Sequence, residues 1–196
     1  MPQNSPRKIT ALGGLLLLVT GVASGSAQLT TAEPWAAEPV SASMSEQAST
    51  LLAEIQREAV LLCRHAGTLE SLARNTGISW QSHAYQLDRV KKHINLVAKY
   101  TRELQAIHDE VLPWQQQAIN ELTSHAAGVA TSTEAAISHL QENQNRLFVS
   151  EYRNHVTTIA NNSEDMRQTV DKFLDYGKTE RKLQQLEDKL ELKART

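Results

Sequence analysis

Residues 80–111 read WQSHAYQLDRVKKHINLVAKYTRELQAIHDEV. Taken at alternating steps of three and four, the stretch gives Trp80, His83, Leu87, Val90, Ile94, Val97, Thr101, Leu104, His108 and Val111. Seven of those ten positions are apolar, and the residues between them are mostly charged or amide-bearing. This is a helical seam about four and a half heptads long, and such a seam needs partner helices to remove it from water.

The flanking sequence supplies the partners. Upstream, Leu52, Ile55, Ala59, Leu62, Cys63, Ala66, Leu69 and Ala73 recur at three and four, predicting a helix from Ser43 to about Arg74. Ser43 and Glu46 have the spacing of a capping box, and Asn75-Thr76-Gly77 is a stop signal. Ser79 is placed to cap the seam helix. Downstream, Pro113 ends that helix and opens the next, because proline disfavours helix in the residue before it yet fits a first turn. The third helix runs from Pro113 to about Glu142, with Ile119, Leu122, Ala126, Val129, Thr133, Ala136, Ile137 and Leu140 inward. Small residues between Ala126 and Ala136 predict a close approach to a neighbour.

After a polar connection at residues 143–146, Ser150 is a cap for a fourth helix. Its inward residues are Tyr152, Val156, Ile159, Ser163, Met166, Val170, Phe173 and Tyr176. Beyond Gly177 the apolar phase shifts to Thr179, Leu183, Leu186 and Leu190 in a strongly charged setting, a stutter followed by a short coiled-coil tail. The fold class is all-α: an antiparallel up-down four-helix bundle with a coiled-coil-like C-terminal extension. Its structural rival is three long helices, with the second and third continuous through Pro113.

The composition agrees. Of 196 residues 40% are hydrophobic, only 5% aromatic, and Gly and Pro number 8 and 5, which favours helices with few, short connections. The N-terminus is different in kind. Arg7 and Lys8 precede an apolar run from Ile9 to Val22, and Gly25 and Ala27 fit the small positions of a signal-peptidase site. Residues 1–27 are expected to be a cleavable signal peptide for the general secretory route, giving a periplasmic or extracellular protein that starts near Gln28. A retained anchor is the alternative, but a run of about 14 residues is short of the roughly 20 that a spanning helix needs. Residues 28–42, with Pro34, Trp35 and Pro39, read as a disordered leader to a bundle domain at 43–196.

The first 27 residues carry two bases and no acid, so the remainder has 18 bases against 22 acids, a net charge of about −4. A mildly acidic protein is a poor partner for nucleic acid. Cys63 is the only cysteine, which excludes a disulfide within the chain, and its neighbours suggest a small buried apolar residue.

Seven histidines are the main chemical resource. Reflecting residue 83 through the turn near 112 reaches about 141, and reflecting 139 through the turn near 146 reaches about 153. His83, His139 and His155 should therefore meet at one end of the bundle, with Tyr152 and Glu142 nearby. Imidazoles from different helices can bind a transition metal. Against this, His139 and His155 sit beside seam positions rather than on them. The pairs Glu121/His125 and Glu151/His155, spaced i, i+4, read as surface pairs. Thr101 and His108 read as seam residues that set register, and Trp80 and Trp114 as plugs of the core.

The Glu-x-x-His pattern of di-iron bundles, His-Glu-x-x-His, a phosphate loop and a nucleophile elbow are all missing from the sequence. No residue is assigned a catalytic, cofactor-binding or metal-binding role. The expected function is non-enzymatic: an exported bundle acting through protein contacts, by self-association or by a partner docking on the C-terminal helix. A small-ligand or metal carrier using the histidine end is the alternative.

Overall fold

A computed structural model describes residues 42–194, with side chains through Glu191. The expected signal peptide and the leader through residue 41, Trp35 included, lie outside the described residues, and Ala42, expected in the leader, opens the first helix. Four helices account for nearly all of the rest: α1 (Ala42–Ala73), α2 (Trp80–Ala106), α3 (Pro113–Glu142) and α4 (Ser150–Ala194). Each packs against its sequence neighbours, and α4 closes the ring against α1. This is the up-down antiparallel four-helix bundle, and α2 and α3 are separate helices, which removes the three-helix alternative.

The apolar stripes explain the packing. Leu52, Ile55, Leu62 and Leu69 of α1, Leu87, Val90, Val97 and Leu104 of α2, Ile119, Leu122 and Val129 of α3, and Tyr152, Val156, Ile159, Met166 and Val170 of α4 form one continuous core. Burying a side chain of this size contributes about 1.5–3 kcal/mol. Small residues in the middle of α3 do bring it close to α4: a Cβ built on Gly128 would lie 2.6 Å from Asn162 Nδ2.

The structure moves several boundaries. Helix α1 already includes Ala42, so Ser43 lies within the first turn rather than before it. Ser79 occupies the N-cap of α2 with extended backbone but makes no side-chain cap hydrogen bond; its Oγ meets Ser82 Oγ at 3.3 Å. Asn75 works as expected, its Oδ1 accepting the Gly77 N–H at 3.0 Å. Ser150 is the first residue of α4, and Val149 provides the earlier acceptor, its carbonyl taking the Arg153 N–H at 3.2 Å.

The largest correction is at the C-terminal end of the seam. Helix α2 stops at Ala106, not near Val111, and the chain tightens into a 3-10 turn over His108–Glu110. Pro113 holds Leu112 extended (φ −62°, ψ 149°), so the corner must be made in fewer residues than an α-turn allows. Ile107 and Val111 still fill the core, while His108 is half-buried outside it and bonded to Asp109.

In α4 the inward phase slips earlier than expected. Leu174 and Gly177 are buried after Val170, whereas Phe173 is half-buried and Tyr176 is 53% exposed. A straight helix with 3.6 residues per turn drifts from a seven-residue repeat, so the stutter falls at Val170–Leu174. Gly177 lies under the indole of Trp114: a Cβ there would be 2.6 Å from Trp114 Cζ2 and 2.7 Å from Cη2. Trp114 is thus a plug, as expected, but its ring is half-buried and braced edge-on by Tyr176 at 5.9 Å.

Two glycine substitutions should have opposite signs. Gly177→Ala forces a methyl group onto the Trp114 ring and is expected to cost about 1–3 kcal/mol. Gly67→Ala on α1, where nothing lies within 4 Å, should stabilise by about 0.5–1 kcal/mol through helix propensity. Urea denaturation of both variants checks this; a neutral Gly177→Ala would mean that Trp114 does not rest on α4.

Candidate functional site

The end of the bundle formed by the α1–α2 and α3–α4 connections carries the histidines singled out in the sequence. His83, one turn into α2, is 1% exposed. Its Nδ1 lies 3.0 Å from the hydroxyl of Tyr152, itself fully buried one turn into α4. His139, from the last turn of α3, stacks at a tilt on the same tyrosine, with ring centroids 5.4 Å apart, and its Nε2 is buried without a partner. Reflection through the turns thus located His83, His139 and Tyr152 correctly. His155 does not complete a triad: among the described residues no group of three or more His, Cys, Asp or Glu is placed to hold a metal ion.

Burial sets the chemistry of this cluster. It lowers the His83 pKa below the ordinary 6.5, because the imidazolium would lose its hydration. It raises the Tyr152 phenol for the same reason. Both groups are therefore neutral near pH 7, and with the imidazole proton on Nε2 the phenol donates to Nδ1. Beside His83 an open cavity of about 260 Å³ separates the two connections, lined among others by Asn75, Ser79, Trp80, Gln144 and Phe148. Its walls are mostly neutral amides, hydroxyls and aromatic faces, so it offers hydrogen bonds without charge.

A second histidine cluster was not anticipated. His65 of α1 and His93 of α2 stack face to face at 5.4 Å and 8°. His93 Nδ1 meets Glu58 Oε2 at 2.6 Å, and His65 Nδ1 meets Gln86 Oε1 at 2.9 Å. The signal was present: reflection through the first turn, near residue 77, sets residue 65 level with about 89, between Gln86 and His93. His93 directly precedes the seam residue Ile94, which hid its 7% exposure behind a position that reads as surface.

The remaining candidates are structural. Cys63 is half-buried rather than in the core, and its Sγ donates to the Ser163 carbonyl of α4 at 3.0 Å. Burial first, and the Glu164 carboxylate second, push its thiol up to about 12, so it carries negligible thiolate at neutral pH. Thr101 is buried and donates back to the Val97 carbonyl, as a satisfied seam residue should. The expected Glu121–His125 surface pair is replaced by other partners: Glu121 accepts from Gln117, and His125 Nε2 lies 3.4 Å from Thr169 Oγ1 on α4.

At the opposite end the structure adds a feature of another kind. Helix α4 continues past Gly177, beyond the span covered by the other helices, and every side chain from Arg181 to Glu191 is exposed. Leu183, Leu186 and Leu190 are 56%, 47% and 67% exposed on it. An aligned set of exposed leucines is the usual mark of a binding surface.

Fold and surface together define an all-α four-helix bundle whose last helix projects with an amphipathic extension that no other described element covers. No protein-family model, curated protein or solved structure matches the chain. No helix among the described residues is long and apolar enough to cross a membrane.

The His83–Tyr152 pair makes stability depend on pH. The folded-state pKa of His83 is depressed, so the unfolded chain takes up the proton first as pH falls through 6.5. The contribution is complete above that value and declines as pH drops from 6.5 toward the lower folded value. Denaturation at about pH 7.5 and 5 should show a smaller acid-side loss for His83→Gln than for the parent protein. Tyr152→Phe, which strips the buried imidazole of its partner, should cost about 1–3 kcal/mol at neutral pH. Equal pH slopes in the parent and His83→Gln would contradict the burial of His83.

Proposed function

We propose that this is an exported, non-enzymatic helical-bundle protein that acts through protein–protein contacts in the cell envelope or outside the cell, with the projecting part of α4 as its contact surface. One observation carries the reading: Leu183, Leu186 and Leu190 share one stripe of a helix that no other described element covers. Burying such side chains against a partner is favourable by about 25 cal/mol per Å² of apolar surface. The N-terminal sequence supports export, since Arg7 and Lys8, the apolar run and the small residues before Gln28 have signal-peptide order.

The test belongs in the source cells. The protein should be found in the exported fraction with an N-terminus near Gln28 by mass spectrometry. It should migrate there in a complex larger than one chain, and a chain ending at Gly177 should migrate as a monomer. A cytoplasmic protein that retains Met1, or equal native sizes for the two chains, would overturn the proposal.

A second reading, a small-ligand carrier, is favoured by the uncharged cavity beside His83. At about 260 Å³ it admits only a small neutral molecule. Metal analysis of protein purified without a histidine tag tests the metal branch. Stoichiometric metal lost in His83→Ala would favour it, and metal-free protein would end it.

A further inference from the structure

The stripe on the α4 extension identifies its occupant through the charges beside it. Tyr176, Thr179, Leu183, Leu186 and Leu190 are spaced three, four, three and four, which places Tyr176, Leu183 and Leu190 at one kind of heptad core position (a) and Thr179 and Leu186 at the other (d). The flanking positions follow. Glu180 and Glu187 fall at e, Asp175, Lys182 and Lys189 at g. In a parallel pair each g residue meets the e residue five places on in the partner helix, so Lys182 faces Glu187 of the second copy, twice by symmetry. In an antiparallel pair g meets g and e meets e, which sets lysine against lysine and glutamate against glutamate. The one like-charged contact of the parallel arrangement, Asp175 with Glu180, lies at the base of the extension. There Asp175 is already engaged by Lys178 Nζ at 2.9 Å.

The direction of the stripe agrees. At about 100° per residue, Thr179, Leu183, Leu186 and Leu190 centre roughly 150° around the helix from Gly177, which faces the bundle core. The leucines therefore face almost directly away from their own bundle. Two extensions joined along this stripe place the two bundles on the outer sides of the pair, where the bodies do not obstruct the seam.

We infer that the α4 extension pairs with the same segment of a second copy of this chain, in parallel and in register, with Leu183, Leu186 and Leu190 forming the seam and Lys182–Glu187 contacts setting its direction. The inference rests on the proposed use of α4 as a contact surface and names the partner.

Light scattering on the purified chain beginning at Gln28 should give twice the monomer mass at tens of micromolar. K182E and E187K should each weaken the dimer roughly tenfold, because attraction becomes repulsion at two symmetric contacts. The double variant K182E/E187K should restore it. In a C63A background, L186C should form an interchain disulfide on mild oxidation, since only a parallel in-register pair sets this position against itself. These variants lie outside the bundle core, and an unchanged helical signal and melting transition would confirm that they fold. A monomer at every concentration, a dimer without the L186C crosslink, or a double variant as weak as the single ones would each overturn the inference. A monomeric purified protein that still migrates in a tail-dependent complex in cells would overturn the second copy as partner and leave the contact-surface proposal standing.

Discussion

The corner between α2 and α3 depends on one buried amide. Gln115 has no exposed surface, so its two donors and two acceptor sites must be met inside the protein. All four are. Its Oε1 accepts from Leu112 N at 3.1 Å and Ser45 Oγ at 3.0 Å, and its Nε2 donates to the Ser45 carbonyl at 2.8 Å and Ser49 Oγ at 3.1 Å. The Leu112 bond anchors the opening turn of α3, and the three bonds to Ser45 and Ser49 fasten it to α1, the helix diagonally opposite. A group with this many bonds in a dry environment tolerates little displacement, because any slip leaves a donor or acceptor unpaired. Fixing Gln115 fixes Trp114, and Trp114 rests on Gly177. The point at which α4 leaves the bundle is therefore settled by a side chain on another helix.

The opposite end uses a similar device with weaker closure. Tyr152 is clamped between His83 and His139, so α2, α3 and α4 meet on one phenol. Only the His83 contact is a hydrogen bond, and the buried Nε2 of His139 has no partner. The polar groups at this end therefore register the helices without closing the structure around them. The adjacent cavity lies beside His83, with residues of both connections in its lining.

The bundle was legible because four long periodic stripes and one proline say nearly everything about an antiparallel helical fold. Pro113, Glu142 and the Trp80 start emerge where the sequence places them, and His83 and His139 reach the same tyrosine because residue numbers convert directly into height along a bundle. What was hidden involves rotation rather than height. Gln115 looks like an ordinary surface residue of a first turn, and its burial follows from the diagonal approach of Ser45 and Ser49, which no periodicity encodes. His108 occupies a seam position that ceases to exist once the helix tightens at Ile107. Tyr176 reads as inward only when a strict seven-residue repeat is extended one turn beyond the point where a 3.6-residue helix abandons it, whereas Phe173, half-buried, still packs against the core.

That same mismatch gives the C-terminal helix its two faces. Through Val170 the apolar residues of α4 point at the bundle, and the stutter there keeps Leu174 and Gly177 pointing inward as well. The seven-residue pattern does not stop, however. Beyond Tyr176, whose ring still braces Trp114 of α3, it continues through Thr179, Leu183, Leu186 and Leu190 on the other side of the helix, where no described element covers it. Neighbouring charges such as the Asp175–Lys178 pair, and the Arg181 Nε bond to the Gly177 carbonyl, support an exposed helix locally. They give no reason for leucines at 183, 186 and 190. A helix that needed only to be solvated would carry polar residues all round, so an outward leucine stripe at coiled-coil spacing is better explained by a second helix than by the bundle from which it projects.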